Sequence, residues 1–413
     1  MRGALSVPAF RWLFTGQLVS ALGDQLFPVA VAALVVERGG SASELGLVLA
    51  ARFGALVLFA LLGGVWADRL PRVGVLQAAD ALRLVAVAGL AVDAALSSGR
   101  PSVPLLAALV FVVGAGEAFF RPALGALLPS VLPAEVLGSG NALNNVTQHI
   151  ALVAGPGLAG LALLVVGPAA LFVVDAATFA VSLATLLRVT EPAREPAVRR
   201  RLLQEMGEGL TAVRQRPWIG AVLVMATLQL LFFVAPCNVL LPVVLHERGE
   251  PASAYGLVLA LGATGGLVGA LLAGRWQPAA RGTVGLVLLV LCAAEPFALL
   301  VHAAVPLLVA AWFLSGIGVG PFLVWWETAL QEDVPSSLVG RVVSLDWMCS
   351  LALLPAGLAL TGPVTALVGR GPVLATGVVV VVVTSLLPLA VPGIRELRTP
   401  SDGRRTAEAQ VRA

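Results

Sequence analysis

Charge is scarce in this sequence. Only 12% of its 413 residues are charged, against about 25% in an average soluble domain. All 26 basic residues are arginine, and lysine is absent. A water-soluble protein of this length needs far more charge to cover its surface. The composition therefore argues against a soluble enzyme, a disordered chain and a nucleic-acid-binding protein, and it favours a polytopic membrane protein.

Cysteine and histidine are also scarce, with three residues of each. They are scattered, and no CxxC pair or Cys/His cluster exists, so neither a disulfide framework nor a zinc site is indicated. We expect no metal and no cofactor. The sequence has no nucleophile–base constellation and no G-x-x-x-x-G-K-[ST] phosphate loop. An enzyme, or a pump that uses ATP directly, is therefore not expected.

Apolar residues are abundant, at 59% of the chain, with a mean hydropathy of +0.96. A membrane-crossing helix needs about 20 mostly apolar residues. Apolar runs of this length, separated by clusters of Arg, Pro, Gly and Ser, predict twelve spans. The first run is too long for the core of a signal peptide. The predicted spans are 12–36, 45–66, 73–95, 103–128, 141–166, 168–188, 218–245, 255–276, 282–303, 305–330, 340–368 and 372–392.

The arginines predict the orientation of these spans. If both termini are cytoplasmic, twenty arginines lie on the inside and four lie outside, namely Arg38, Arg100, Arg248 and Arg370. The bias toward the cytoplasmic side agrees with the positive-inside rule. It supports an even number of spans with both termini in the cytoplasm, as expected for a protein of the cytoplasmic membrane.

The chain divides into two halves that resemble each other. Trp12 matches Trp218 at an offset of 206, while Gly155 and Gly357 match at an offset of 202. We predict an N-terminal six-helix bundle at 1–190 and a C-terminal six-helix bundle at 217–394. Between them, 191–216 is predicted to be a cytoplasmic linker that contains an amphipathic helix. The cytoplasmic tail at 395–413 is polar and is predicted to be disordered.

One loop resembles a family motif. Between the second and third spans the chain reads Gly64-Val-Trp-Ala-Asp68-Arg69-Leu-Pro-Arg72, which is similar to the G-x-x-x-D-R-x-x-R loop of the major facilitator superfamily. The resemblance implies an all-α membrane protein whose twelve transmembrane helices form two pseudo-symmetric six-helix bundles. It also implies that Asp68 helps to close the cytoplasmic side at the start of the eleventh helix, where Arg341 is the candidate partner.

Other stretches resemble the exporter branch of this family that includes siderophore exporters and macrolide efflux proteins. Arg216-Pro217-Trp218 opens the seventh span, and a stretch beginning at Trp326 closes the tenth. The fifth span carries Gly155-Pro156-Gly-Leu-Ala-Gly160, similar to the G-P-x-x-G-G element of drug/proton antiporters. A closely packed, kinked helix is the alternative explanation of this element.

Asp24 is an unusual charge, because it lies about 20 Å along the first span at 1.5 Å per residue. No basic residue lies at i±3 or i±4 from it. Its partner must come from another helix, and Arg52 in the second span is at a comparable depth. The hypothesis is that Asp24 lines the cavity and takes up the coupling proton, with Arg52 tuning its proton affinity. A buried structural ion pair is the alternative.

Further polar residues within the spans are candidates for the same cavity. Asp80 and Arg83 at i, i+3, and Glu117 and Arg121 at i, i+4, are spaced to form pairs within one helix. Asp175 is placed near the outer end of its span, where it is expected to be hydrated. Glu327 and Asp346 are assigned to the cytoplasmic gate. The remaining candidates for proton coupling or the substrate cavity are Glu117, Glu295, Gln17, Asn145 and Gln148.

Together these features predict a secondary transporter that exports a hydrophobic or amphipathic small molecule. Alternating access and proton antiport are the expected mechanism, with the lipid bilayer as surroundings, no nucleic-acid partner and a monomeric state. A proton- or solute-coupled importer of the same fold stays open, and the direction of proton flux in vesicles separates it from an exporter. The interpretation as a non-transporting membrane scaffold or sensor also stays open. Absence of substrate-dependent proton movement in proteoliposomes would favour it.

Overall fold

The computed structural model describes residues 2–97, 99–163, 165–191, 207 and 210–395. Throughout these residues the chain is helical, with short connections. A single short helix, Arg2–Leu5, precedes the first long one. The predicted linker helix and the predicted tail lie outside the described residues, apart from the few at 191, 207, 210–216 and 395.

Helices occupy all twelve predicted positions. Several are interrupted: α7 contains a π-helical segment at Leu230–Val234, α9 contains a 3₁₀ segment at Val290–Ala293, and α11 breaks at Leu353. The helices are α1 Pro8–Glu37, α2 Ala42–Arg69, α3 Arg72–Leu96, α4 Val103–Val131, α5 Ala134–Ala162, α6 Pro168–Leu186, α7 Pro217–Glu247, α8 Ala252–Arg275, α9 Arg281–Leu300, α10 Val305–Asp333, α11 Ser336–Ala352 with Leu354–Val368, and α12 Arg370–Leu386.

Within the described part of the chain, ten helices are long and apolar enough to cross a membrane. The two outside this set are α5 and α11. The first part of α5 carries Asn141, Asn144 and Asn145, which lower its hydropathy, and α11 is divided into two shorter segments, of which Leu354–Val368 is apolar. Large apolar side chains such as Val85, Leu161 and Leu367 remain exposed. Exposed apolar surface of this kind suits a lipid environment.

The chain forms two compact units. Unit 1 consists of residues 1–198, 238–260 and 354–367, and unit 2 consists of 199–237, 261–353 and 368–413. In unit 1, α2 packs extensively on α4, α1 on α6, and α3 on both α4 and α6. A cluster of fully buried side chains that includes Phe10, Leu127 and Leu186 holds one end of these helices together.

At the other end of unit 1, the parts of α8 and α11 that belong to it contact α5 and α2. Added to Gly160, a methyl group would lie 2.8 Å from the Cα atom of Gly256. Added to Gly362, it would collide with the backbone of Ser43. Two pairs of helices, α5 with α8 and α2 with α11, therefore pack backbone against backbone through small residues. The arginine count predicts this end to face outward, and we call it the outer end.

The outer end is built from a repeated segment that the sequence-based search for repeats missed. Residues 37–50 read ERGGSASELGLVLA, and residues 247–260 read ERGEPASAYGLVLA. The offset between these two segments is 210, whereas it is 206 and 202 at the other matched positions. Offsets of 206 and 202 therefore do not align these segments. Gly39 and Gly249 have the same φ of 73° in the turn after the first and seventh helices. A left-handed residue in a tight turn favours glycine.

In unit 2, the start of α7 is tied to the end of α10. The Trp218 Nε1–H group donates to Asp333 Oδ2 at 3.1 Å, and the Arg216 Nε–H group donates to the same oxygen at 3.1 Å. The Trp218 ring also packs edge-on against Trp326, with centroids 5.5 Å apart. The Arg216-Pro217-Trp218 stretch therefore has a structural role, because two of its side chains share one carboxylate.

Candidate functional site

The interior of unit 1 contains a cluster of charged side chains centred on Arg83 of α3. The Arg83 side chain is only 3% exposed, and it forms an ion pair with Asp80, one turn earlier on the same helix. Its Nη1 atom lies 3.6 Å from Asp24 Oδ2 on α1. The guanidinium is enclosed by the rings of Phe120 and Phe179, at 4.3 Å and 4.5 Å from their centroids. Cation–π contacts of this kind offset part of the cost of burying the charge.

Neighbouring helices make room for Arg83 and hold its partner. A methyl group at Gly116 of α4 would lie 2.7 Å from Arg83 Cγ, so the glycine leaves space for the arginine side chain. The Ser182 hydroxyl of α6 donates to Asp80 Oδ2 at 2.6 Å. Gln17 of α1 is buried, and its amide nitrogen is 3.5 Å from Ser182 Oγ. Gln17 therefore lies beside the cluster, as a side chain that supports Ser182.

A second group of charges joins α2 to α4. Glu117 accepts hydrogen bonds from Arg52 at 3.0 Å and 3.2 Å and from Arg121 at 2.7 Å and 3.0 Å. The Arg52 guanidinium also lies 5.2 Å from the centroid of the Phe27 ring. The backbone of α2 approaches α4 at Gly114, where a methyl group would collide with the Arg52 carbonyl. Glu117, one turn further along α4, then meets Arg52.

The expected pairing of Asp24 with Arg52 is wrong in the structure. Arg52 is engaged by Glu117, because the close approach at Gly114 brings α2 onto α4. The arginine within ion-pair distance of Asp24 is Arg83. The two pairs predicted within single helices, Asp80 with Arg83 and Glu117 with Arg121, are both present. Each pair, however, is joined to a further charge on another helix.

The expectation that Asp175 is hydrated is also wrong. Asp175 is 1% exposed and faces α1, where a methyl group at Gly23 would lie 2.7 Å from its Oδ1 atom. No basic residue lies close to Asp175 in the sequence, and its position near the end of α6 does not place it at the surface. The spacing of Asp175, Thr178 and Ser182 places three polar residues on one face of α6, because residues at i, i+3 and i+7 share a helix face. This polar face is the sequence signal that Asp175 points into the protein.

The seven side chains that carry these charges are hereafter called the charge cluster. They come from α1, α2, α3, α4 and α6, and all belong to unit 1. Asp24 is the most exposed of the four carboxyl groups, at 33%, compared with 14% for Glu117. The members of the charge cluster are Asp24, Arg52, Asp80, Arg83, Glu117, Arg121 and Asp175.

The predicted residues of α5 are only partly described. Gln148 is exposed, and Gly155 is buried against the Gln25 side chain of α1. Gly160 makes the close contact with Gly256 at the outer end. The side chains of Asn145 and Pro156 lie outside the described residues. The glycines of this element thus serve helix packing, and its possible bearing on the direction of transport stays a prediction.

The predicted gate motif is also only partly described. The side chains of Gly64, Asp68 and Arg69 lie outside the described residues, although the backbone of α2 is helical there. The Nε atom of Arg72 is buried without a hydrogen-bond partner within the described part of the chain. The contact of Asp68 with Arg341 therefore stays a prediction.

Unit 2 contains one candidate carboxyl group inside its spans, that of Glu295. It follows the 3₁₀ segment of α9 and is hydrogen-bonded to the Ser315 side chain of α10. No arginine forms an ion pair with Glu295 within the described residues. The backbone of α12 approaches this region at Gly377, where a methyl group would lie 3.1 Å from the Phe232 carbonyl oxygen. Because no arginine pairs with it within the described residues, Glu295 does not belong to a charge network like that of unit 1.

The chemistry of these side chains is that of binding and charge exchange. Within the described part of the chain, no three His, Cys, Asp or Glu side chains are placed to hold a metal ion. Asp24 offers a partly exposed carboxylate with a fixed arginine behind it. Ionisable groups inside a membrane protein usually mark a pathway for a substrate or an ion.

Comparison with known proteins identifies the family. The family model for the Major Facilitator Superfamily matches residues 13–350. The chain belongs to this superfamily. Its members are transporters rather than enzymes, and the predicted membership of this superfamily is thereby confirmed.

The most similar major facilitator proteins include several efflux proteins. The multidrug efflux pump Tap of Mycobacterium tuberculosis is 29% identical, over 96% of each chain. Macrolide efflux protein A of Streptococcus pyogenes is 26% identical, over 85% of this chain and 88% of its own. The enterobactin exporter EntS of Escherichia coli is 27% identical, over 82% of this chain and 80% of its own. The predicted branch of the superfamily is therefore confirmed.

Solved structures agree on the fold. A bacterial homologue of the iron transporter ferroportin matches with a TM-score of 0.70 at 20% identity, over 92% of this chain and 98% of that one. A bacterial homologue of the lysosomal transporter Spinster matches with a TM-score of 0.69 at 15% identity, over 95% of this chain and 98% of that one. This chain is thus a multi-pass membrane transporter with the major facilitator fold.

Proposed function

We propose that this transporter exports a hydrophobic or amphipathic small molecule across the bacterial cytoplasmic membrane in exchange for protons. The similar proteins with named activities are efflux proteins for drugs, macrolides and a siderophore, which favours export over import. Both termini are placed in the cytoplasm and the protein acts as a monomer. Residues 1–190 and 217–394 form the two bundles, joined by the linker at 191–216.

The observation that carries the proposal is the position of Asp24. It is the most exposed carboxyl group of the charge cluster, and its 3.6 Å contact with Arg83 is longer than the 2.7–3.2 Å bonds of Glu117. A partly hydrated carboxylate that is loosely paired can exchange its arginine for a proton or for a cationic substrate. Gln17 and Arg52 support this site from α1 and α2.

Alternating access needs contacts that form in one state and separate in another. The contacts of Gly160 with Gly256 and of Gly362 with Ser43 suit this role, because small residues pack closely without interlocking side chains. At the opposite end of the helices, we assign the closing contact to Asp68 and Arg341, together with Gly64, Arg69 and Arg72. The kink element of Gly155, Pro156 and Gly160 lies at one of the outer contacts.

Transport in proteoliposomes tests the proposal. The purified protein is reconstituted into proteoliposomes that hold a pH gradient. Efflux of ethidium and of erythromycin is measured together with the rate at which the pH gradient dissipates. We expect wild-type protein to move ethidium against its gradient and to dissipate the proton gradient as it does so. The variant Asp24→Asn is expected to lose about tenfold or more of this coupled transport, because a neutral side chain neither titrates nor attracts a cation.

Two outcomes would contradict the proposal. Substrate and protons moving in the same direction would make the protein an importer of the same fold. Absence of proton movement over a broad panel of lipophilic cations, macrolides and siderophores would make it a scaffold or sensor. The exposed residue Glu135, at the start of α5, provides a matched control, since Glu135→Gln removes a carboxylate outside the charge cluster.

A further inference from the structure

Asp175 of α6 is a buried carboxyl group that lacks a partner for one of its oxygens. The residue is 1% exposed, and its Oδ2 atom has no hydrogen-bond partner within the described residues. The Thr178 hydroxyl lies 3.5 Å from Oδ1 but makes its shorter bond, 2.7 Å, to the Asp175 backbone carbonyl. Toward the outer end, the Phe27 and Phe172 rings pack edge-to-face with centroids 6.1 Å apart, so apolar groups cover that side.

The groups that face Asp175 come from several helices. Asp24 approaches from α1, Arg83 from α3 and Arg52 from α2, while Thr178 lies on the same helix. Neither arginine is within ion-pair distance of Asp175. Arg83 pairs with Asp80 and Asp24, and Arg52 pairs with Glu117. Asp175 therefore faces another carboxylate on α1, and both nearby arginines are already engaged.

The charges of the cluster balance when one of its four acids is neutral, and Asp175 is the acid that has no basic partner within the described residues. The cluster contains three arginines, Arg52, Arg83 and Arg121, and each takes part in an ion pair with Asp24, Asp80 or Glu117. Asp175 is the fourth acid, and no fourth base accompanies it. A buried carboxylate without a partner costs several kcal/mol in a membrane protein, so the balanced and favoured form carries a proton on Asp175.

We propose that Asp175 holds the proton that this transporter exchanges, and that the substrate exchanged for it is an organic monocation bound at Asp24. This inference rests on the proposed function and assigns its coupling site. With the proton bound, the cluster is neutral. When the proton leaves, one negative charge remains next to Asp24, and a single positive charge on the substrate restores the balance.

The step conserves atoms and charge. The O–H bond of the Asp175 carboxyl group breaks, and the proton passes to water at the exposed rim of the cluster beside Asp24. The cationic group of the substrate, such as a protonated amine, then pairs with the Asp24 carboxylate, whose contact with Arg83 is already long. One proton leaves for one cation, so the exchange is electroneutral. Asp24 is the substrate-facing group, and Asp175 is the proton-carrying group behind it.

Infrared and proton-release measurements on the full-length protein in nanodiscs test this assignment. At neutral pH and without ligand, wild-type protein is expected to show the C=O stretch of a protonated carboxylic acid in a nonpolar site. Addition of ethidium is expected to remove the part of this band that belongs to Asp175 and to release about one proton per bound cation, since one charge is exchanged. A pH-indicator dye in weakly buffered solution reports the release.

The variant Asp175→Asn identifies the group. Because the amide imitates a neutral acid of the same shape, the variant is expected to fold and to bind ethidium more weakly than wild type. At saturating ethidium it should show neither the ethidium-induced change in the infrared band nor the proton release, whereas any band from Glu295 remains. Counterflow of ethidium between equal pH compartments should persist at least in part, whereas accumulation driven by a pH gradient should fall about tenfold or more. The control Glu135→Gln should retain the band, the release and the accumulation.

The outcomes separate this inference from the proposed function. If wild-type protein releases protons and Asp175→Asn releases them equally, Asp175 is not the carrier, although antiport stands. If wild-type protein binds ethidium without releasing protons, proton antiport itself fails. Should Asp175→Asn prove unstable, the ligand-free spectrum of Glu295→Gln still decides, because absence of the band in that variant between pH 6 and pH 8, about the range expected to bracket the working pH, would mean that Asp175 is not protonated.

Discussion

The interiors of the two units differ in charge. Unit 1 holds seven charged side chains in its charge cluster. Among the described residues of unit 2, Glu295 has a serine as its hydrogen-bond partner, and the ion pairs Arg216–Asp333 and Arg281–Glu332 involve acids that are exposed. At the outer end, in contrast, the repeated segments 37–50 and 247–260 match closely. Packing positions have thus been kept in both halves, while the chemistry has been concentrated in one.

The difference indicates what each half contributes. A network of fixed charges binds ions and cationic groups at a defined place, and neighbouring ion pairs make any titration a property of the whole network. A carboxyl group whose hydrogen-bond partner is neutral, such as Glu295, titrates without coupling to neighbouring charges. The two halves of the chain therefore differ in chemistry while they share the repeated outer segment.

The largest effect is expected from breaking the charge cluster at its centre. Arg83→Leu leaves Asp80 buried without its arginine, and loss of one partner of a buried ion pair costs about 3–5 kcal/mol. Glu295→Leu removes a carboxyl group that has only a neutral hydrogen-bond partner, and its cost is expected to be about 1–2 kcal/mol. Denaturant unfolding of the detergent-solubilised variants measures both. Equal losses would mean that the two interiors are energetically alike.

Much of the fold was predictable, because a long apolar run has few alternatives in a membrane. The pairs Asp80–Arg83 and Glu117–Arg121 were also predictable, since residues three or four apart on a helix are neighbours. The partner of Asp24 was not, because it depends on which helices approach each other. That approach is decided by single glycines such as Gly114 and Gly116, whose neighbours belong to distant parts of the sequence.

The repeated outer segments show a different kind of failure. Their match was present in the sequence, but at an offset of 210 rather than 206 or 202. Helices of different length shift the offset between the two halves, so a search with one fixed offset passes over a good match. The prediction that Asp175 is hydrated failed for a physical reason. The burial of a residue within a span follows from packing as well as from its distance to the loop.

The next effect concerns the matched outer contacts. Gly160→Val and Gly362→Val each insert a branched side chain where helix backbones touch, and overpacking of this kind costs about 1–3 kcal/mol. Both variants are expected to lose stability by the same amount and to transport ethidium slowly. Gly54→Val is the control, because no atom lies within 4 Å of a methyl group at that position. A large difference between Gly160→Val and Gly362→Val would show that the repeat is not functionally matched.

A smaller effect is expected from changing the charge of the cluster without creating a cavity. Glu117→Gln leaves Arg52 and Arg121 without their shared carboxylate and adds one positive charge. Export of a monovalent cation is expected to fall about tenfold, or about 1.4 kcal/mol. Glu295→Gln is the matched change in unit 2 and should stay within about twofold of wild type. Initial rates of ethidium efflux from proteoliposomes compare the two, and the opposite ranking would move the coupling site to unit 2.

The smallest expected difference between the units concerns arginines at helix ends. Arg38 donates to Asp93 Oδ2 at 2.8 Å and to the backbone carbonyls of Asp93 and Ala94 at 2.7 Å and 3.0 Å, which ties the end of α1 to the end of α3. Arg38→Ala is expected to cost about 1–2 kcal/mol. In unit 2, Arg216→Ala is expected to cost less, about 0–1 kcal/mol, because Asp333 is exposed and keeps the Trp218 bond. Thermal unfolding of the two variants compares these losses of stability. A larger loss for Arg216→Ala than for Arg38→Ala would contradict the prediction.

The wide turn at Leu230–Val234 leaves a trace of how the two halves diverged. Trp218 precedes Glu247 by 29 residues, whereas the matching Trp12 precedes Glu37 by 25, so the seventh helix is longer by four residues between matched positions. A π-helical turn is what a regular helix forms when it takes up one inserted residue. Removing a residue from 230–234 should therefore restore an uninterrupted helix in the manner of α1, and it would rotate the side chains on one side of the deletion by about 100° against the others, at 3.6 residues per turn. One residue taken up as a π-turn is thus enough to turn Phe232 and its neighbours relative to the start of the helix.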